Sequence, residues 1–304
     1  MNRRANLFRR GPLPARRPGP GELAEGLERA TVLDRAVGAV QKSVQKALPA
    51  GPLRDTLNGV PFGHPAHPPL TDLPIGAFLS VALLDLLPGD RRATRTLLTA
   101  GLVGSLPTAV TGWADWSSLH REQQRVGLVH ATAIGAANVL YAASLVARRR
   151  GNEAGGRLLG YAGLTTLVGG TYLGGHLAFR QAAGTNHADP VDHLVSLGWH
   201  DLCPLDELPD GRPVTRRLGY LSLFVLRTGE DVDVLTDRCS HLAGPLHQGR
   251  ITYEDDEACV VCPWHGSTFR VRDGSVAHGP ATAPQPSFET RVLENAMVQV
   301  RPAG

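Results

Sequence analysis

The sequence predicts an all-α bundle of four membrane-spanning helices followed by a small all-β domain. Three observations carry this expectation. Residues 70–179 hold four apolar segments of 18 to 22 residues, separated by charged loops. Residues 196–304 hold short alternating runs split by turn signals, and this half gathers cysteine beside histidine in two places. At 304 residues the chain is long enough for two domains, each with its own core.

The chain opens on "MNRRANLFRRGPLPARRPGPG", with six arginines in its first twenty residues and no apolar run behind them. That composition predicts a basic, disordered tail over residues 1–21 rather than a cleaved signal or a twin-arginine export signal. Residues 22–60 are expected to hold an amphipathic helix and a linker. Leu23, Leu27, Ala30, Leu33, Val37, Val40, Val44 and Leu48 recur three or four apart, with glutamates at the front and Lys42 and Lys46 at the back. Such a helix lies on a membrane surface, docks on a partner or packs on the next domain.

Residues 61–180 are assigned to the helical domain. "LTDLPIGAFLSVALLDLL", "TLLTAGLVGSLPTAVTGW", "VGLVHATAIGAANVLYAASLVA" and "LLGYAGLTTLVGGTYLGGHLAF" are each long enough for a bilayer core, which takes about 20 apolar residues per helix. A soluble bundle would need polar outer faces, and segments two to four have none. After a linker at 181–195, the runs "YLSLFVLR", "DVDVLT", "ACVVC" and "MVQVR" alternate as antiparallel strands do.

Charge and cysteine usage exclude some classes. The net charge of +3 is mild and the arginines flank apolar runs, which argues against a nucleic-acid partner. Four cysteines, two of them in a motif, make no disulfide framework and fit a reducing compartment.

That motif is "RCSHLAGPLHQGRITYEDDEACVVCPWHGSTF". Cys239 and His241 are one residue apart, and Cys262 and His265 are two apart. Two thiolates and two imidazoles fit a closed Cys₂His₂ zinc site or a [2Fe-2S] cluster with two cysteines on one iron and two histidines on the other. Zinc fingers group cysteine with cysteine. Here each pair mixes the two types, so each loop can serve both irons. A zinc reading through Cys259 and Cys262 conflicts with "ACVVC" as a strand, where residues three apart face opposite ways. Cys259 is therefore expected in the core, and Cys203, in an expected turn, as packing.

"CSHLAGPL" and "CPWHGSTF", with "DLCPLDELPDGRPV" before them and "DGSVAHGPATAPQPSFETRV" after, resemble the bacterial Rieske ferredoxin-type domain over about 110 residues. The resemblance implies a small all-β Rieske [2Fe-2S] domain at 196–304, with Cys239 and Cys262 on one iron and His241 and His265 on the other. High-potential Rieske proteins carry a disulfide-forming cysteine in each loop. Gly244 and Trp264 stand at those positions here, and Phe269 stands where that group has tyrosine. Ser267 keeps one hydroxyl donor near the cluster. These departures imply a potential toward −150 mV rather than +300 mV.

"GVPFGHPAHPPLTDLPIGAFLS", "GWADW" and "GGHLAF" resemble an uncharacterised bacterial family of four-helix predicted membrane domains, over residues 60–180. Four helices would bring His64, His67, Asp115, His130 and His176 to the end of the bundle beside the Rieske domain. Tyr172 joins His176 along its helix and Asn138 joins His130. Ionisable groups in a membrane point to function. The alternatives are a haem held by His130 and His176, a quinone or divalent-metal site, or hydrogen bonds within the bundle. Asp85 is a separate buried acid with no assigned partner.

The resulting expectation is a multi-pass protein of a bacterial cell membrane whose Rieske domain passes single electrons between a redox partner protein, a reductase or an acceptor, and the membrane. A redox sensor that uses the cluster as a switch, or a component of an oxidoreductase or oxygenase system, is the alternative. Only 39 residues follow His265, too few for a mononuclear-iron oxygenase domain, and no G-x-G-x-x-G provides a nucleotide site. Arginines in the loops opposite the termini favour an external Rieske domain by the short-loop rule. The arginine-rich start and the absent export signal favour a cytoplasmic one, which is the orientation expected.

Overall fold

A computed structural model describes residues 19–87 and 90–303. The disordered-tail expectation for residues 1–21 falls almost entirely outside them. The N-terminal region is helical: α1 (Pro20–Glu28), α2 (Asp34–Ala47), α3 (Pro52–Asn58), α4 (His67–Leu86), α5 (Arg91–Trp116), α6 (Arg121–Arg149) and α7 (Glu153–Gly175), closed by a π-helical turn at His176–Arg180.

The expected single amphipathic helix is instead two. The backbone leaves helical geometry at Ala30 and runs through a 3₁₀ turn before α2. Arg125 of α6 holds the break. Its guanidinium donates to the Glu28 carbonyl at the end of α1 at 2.6 Å and to both Asp34 carboxylate oxygens at 2.7 and 3.0 Å. Periodicity cannot register a contact 91 residues away. α2 is tied to the bundle by Gln41, whose amide donates to the Ser117 carbonyl.

The four apolar segments fall in α4, α5, α6 and α7, but three of these helices, α4 to α6, are long and apolar enough to cross a membrane by length and composition. The expected count of four is not matched. α7 is 23 residues long, and glycines at 155, 156, 160, 163, 169, 170, 174 and 175 dilute its apolar character. Packing between α4 and α6 centres on Phe78 and Tyr141, whose rings stack 3.8 Å apart. Gly101 of α5 is required there, because a Cβ would lie 2.6 Å from the Phe78 ring. Asp85 has a partner that its position in the sequence did not reveal: the Arg148 guanidinium grips it at 2.5 and 2.8 Å.

After a short helix, α8 (Val191–Leu194), the chain becomes all β. A six-stranded antiparallel sheet has the order β1-β10-β9-β4-β3-β2, and a four-stranded one the order β5-β6-β7-β8. The strands of the first are β1 (His200–Pro204), β2 (Val214–Leu218), β3 (Leu221–Thr228), β4 (Asp231–Thr236), β9 (Ser287–Val292) and β10 (Met297–Pro302). Those of the second are β5 (Arg250–Glu254), β6 (Glu257–Val261), β7 (Thr268–Arg270) and β8 (Val276–His278). β3 is buried on both faces: Leu221, Leu223 and Val225 enter one core, and Phe224 and Leu226 enter the other. Cys203 lies in β1 within the first core, a strand position rather than the expected turn.

Candidate metal centre

Two loops carry the cysteine–histidine pairs, one between β4 and β5 and one between β6 and β7. They are built alike. The Ala243 amide donates to the Cys239 carbonyl at 2.8 Å, and the Gly266 amide donates to the Cys262 carbonyl at 3.1 Å. Both residues closing the turns have positive φ, 60° at Ala243 and 81° at Gly266. Each turn aims two backbone amides at its own sulfur, those of His241 and Leu242 at Cys239 and those of Trp264 and His265 at Cys262. Such donors stabilise negative charge on a coordinated thiolate.

The loops meet tip to tip. The Cys239 thiol and the Cys262 sulfur are within hydrogen-bonding reach, and the His241 and His265 rings lie 5.1 Å apart, nearly perpendicular. Hydrogen bonding from Cys239, opposed by burial, lowers the Cys262 thiol to about 7, while the same bond and burial raise Cys239. Burial lowers His241 to about 3 and His265 to about 4, the latter assisted by His120. Both imidazoles are therefore neutral near pH 7, with a lone pair free for a metal.

The donor set fits a two-iron cluster. His241 Nδ1 is buried with no hydrogen-bond partner among the described residues, as a nitrogen reserved for a metal would be. Among the described residues no three His, Cys, Asp or Glu side chains form a group suited to a single ion, whereas two donors per iron is the pattern of a Rieske centre. Gly244 presses against the second loop so closely that a Cβ would lie 2.7 Å from the Cys262 sulfur and 3.2 Å from the Trp264 ring.

A family model described as "Rieske [2Fe-2S] domain" matches residues 198–289. The 3-phenylpropionate/cinnamic acid dioxygenase ferredoxin subunit of Escherichia coli (strain K12) is 30% identical over 91 residues, 30% of this chain and 81% of that protein. The chain belongs to the Rieske [2Fe-2S] family. The anthranilate 1,2-dioxygenase ferredoxin subunit of Burkholderia cepacia is 29% identical over 96 residues, 32% of this chain and 85% of that relative. Among solved structures, the ferredoxin of carbazole 1,9a-dioxygenase from Nocardioides aromaticivorans IC177 is 25% identical, with 34% of this chain and 98% of that chain covered and a TM-score of 0.31. The Rieske domain implies a [2Fe-2S] cluster.

Residues remote in sequence pin the two Rieske loops. Gln285, 1% exposed, donates to the Thr236 and Arg238 carbonyls and accepts from the Ser240 amide. Ser240 donates to the Ala283 carbonyl, and Ser267 accepts from the Ala281 amide at 3.0 Å, which leaves its own hydroxyl proton to donate. Phe269 is fully buried. Gln285 was not anticipated, although a lone amide in "APQPS" is a faint signal. Cys259 is buried beside Thr252 and Arg270, and its thiol reaches the Glu257 carbonyl rather than the cluster pair. Cys259→Ala is expected to retain full iron and an unchanged cluster spectrum, measured by metal analysis and visible absorption.

The helical-domain candidates are placed around the cluster end with separate partners. His64 is exposed and lines a cavity of about 180 Å³ together with His241. His67 Nδ1 bonds the Thr108 carbonyl at 2.9 Å, and His130 Nδ1 bonds the Gly170 carbonyl at 2.7 Å. His176 Nε2, one of the two rings of the haem alternative, bonds Glu28 of α1 at 2.6 Å. Tyr172 is exposed, Asp115 makes no side-chain hydrogen bond among the described residues, and Asn138 donates to the Ile134 carbonyl.

Contacts between the two domains were invisible in the sequence. The His120 ring, at the N-cap of α6, stands 5.1 Å from that of His265 and 5.2 Å from that of Trp264. Asp55 of α3 accepts from the Gly279 amide at 2.9 Å and pairs with His278 Nδ1 at 2.8 Å, while His278 Nε2 faces Glu254 at 3.3 Å. The Asp55 bond raises the His278 pKa, reinforced by the Glu254 charge and opposed by burial and Arg270. A raised folded-state pKa means that this contribution is complete below the ordinary value of 6.5 and is lost as pH rises through the raised value. Amide exchange at residues 277–279 is therefore expected to accelerate across that window, and His278→Asn is expected to abolish the pH step.

Proposed function

We propose that the protein is a membrane-anchored, Rieske-type one-electron carrier serving an oxygenase or related oxidoreductase system. The observation that carries it is the paired-loop site: two buried sulfurs, two neutral imidazoles and an orphaned His241 Nδ1. The [2Fe-2S] cluster supplies reversible one-electron chemistry when bound. The chain's part is to hold it with Cys239, Cys262, His241 and His265, to aim four amides at the sulfurs and to exclude water with Phe269 and Leu246. Relatives named as dioxygenase ferredoxin subunits favour a reductase as donor and an oxygenase as acceptor.

Anchoring is supported by outward-facing apolar side chains on long helices. Leu83 and Leu86 of α4, Val103 and Leu106 of α5, Val139 of α6 and Leu158 of α7 are all more than half exposed. Uncovered apolar belts of this kind suit lipid rather than water. We assign α7 as the fourth span, following the resemblance of residues 60–180 to predicted membrane domains, and a cytoplasmic Rieske domain. Carbonate extraction should leave the protein in the membrane fraction, and protease added to intact cells should spare the Rieske domain. Release by carbonate, or cleavage outside, would overturn the respective assignment.

A reduced-minus-oxidised spectrum of the detergent-purified protein tests the carrier reading, with broad visible bleaching as the expected result. Sharp added bands would establish a haem in the helical domain as well. The midpoint is expected toward −150 mV, since Phe269 offers no hydroxyl and Gly244 no cysteine. A redox titration settling well above +100 mV would refute it.

A further inference from the structure

We infer that the helical domain is an intramolecular cover for the histidine face of the Rieske domain, and that an external redox protein must displace it. Three observations on separate elements converge on this face. The His120 ring lies edge-on to both His265 and Trp264, at 5.1 and 5.2 Å. Asp55 clasps the segment after β8 through the Gly279 amide and His278. The loop before α4, with His64 and Pro65, closes over His241 and Pro280, leaving the cavity of about 180 Å³ between them.

These contacts occupy the edge through which an electron leaves the site. Electron exchange between proteins needs close approach to the metal, and the histidine ligands project from the loop tips while both cysteines are at most 3% exposed. A partner of protein size cannot reach the ring edges of His241 and His265 while the pre-α4 loop lies over the first and His120 over the second, both held in place by the α3 clasp on His278 and Gly279. Small ions are not so restricted, because Trp264 at the rim is 49% exposed. Among the described residues, Asp55 makes two of the hydrogen bonds that hold the cover. The Asp55 clasp also lies outside the ligand loops, so it can be broken without touching the cluster's ligands.

This inference rests on the electron-carrier reading, and the test separates the two. The dithionite-reduced, full-length protein in detergent is mixed with ferricytochrome c, a protein oxidant, or with ferricyanide, a small one. Each reduced centre gives one electron, reducing one ferric iron of the oxidant to ferrous, and no bond is made or broken. Asp55→Asn and His120→Ala are expected to speed oxidation by ferricytochrome c roughly tenfold while changing the ferricyanide rate less than about twofold, tenfold in rate being about 1.4 kcal/mol of barrier. His120→Phe restores the ring contact and should return the slow rate. Amide exchange over residues 263–266 and 118–121 gives a readout independent of electron transfer, and should accelerate in Asp55→Asn. Equal rates with both oxidants in all variants, with unchanged exchange, would overturn the cover. Absence of any dithionite-reducible centre in the unmodified protein would instead overturn the carrier reading.

Discussion

Cys262→Ala is expected to abolish the cluster and to destabilise the β domain by more than about 4 kcal/mol, the range reached when a metal centre is lost. Cys262 is 3% exposed and sits in the core formed by Phe224, Leu235, Leu246, Val260 and Phe269, beside Cys239. Alanine removes one of two sulfur donors. It also leaves the amides of Trp264 and His265 aimed at nothing and Cys239 without its partner. Iron content should fall to background, visible absorption should vanish, and the thermal midpoint should drop. Cys259→Ala removes the same atoms from a residue equally near in sequence, and should keep the iron. Retention of iron by Cys262→Ala would refute the ligand assignment.

Arg148→Met is expected to cost about 3–5 kcal/mol, because it strands a buried carboxylate. The Arg148 and Asp85 side chains are 2% and 4% exposed and joined by two hydrogen bonds of 2.5 and 2.8 Å. Ser144 accepts from Arg148 Nε, and Glu153 lies 3.7 Å away, so the guanidinium also organises the start of α7. The paired change Asp85→Leu with Arg148→Met removes both charges and should recover most of the loss. Thermal unfolding in detergent measures both. Equal stability of Arg148→Met and the unmodified protein would show that Asp85 finds another partner, for which Arg157 at 3.8 Å is the nearest.

Elements were legible where a local pattern matched a physical period. The apolar runs of α4 to α7 and the alternation of β3 are visible because helix and strand periods impose them. Ligand spacing was legible for a related reason. A C-x-H turn and a C-x-x-H turn each place one cysteine and one histidine on a single loop, so both pairs survive in the linear text. The break at Ala30 was not legible, since its cause is Arg125, and the partner of Asp85 was hidden 63 residues away. α7 was legible as a helix, whereas the close packing of its glycines against Tyr141, Ile134 and His130 of α6 was not.

The sequence by itself determined the two-part architecture, helices followed by a β domain that carries two paired cysteine–histidine loops, because each depends on residues within a few positions of one another. Only the tertiary structure decided what surrounds the two loops and the segment after β8: His120 on His265, Asp55 on His278, Gln285 behind the first loop. It also placed His176 Nε2 against Glu28. Such contacts join residues separated by 45 to 223 positions. No local period marks them: Gln285 and His176 find their partners only when each domain closes on itself, and His120 and Asp55 find theirs only when the two domains pack together.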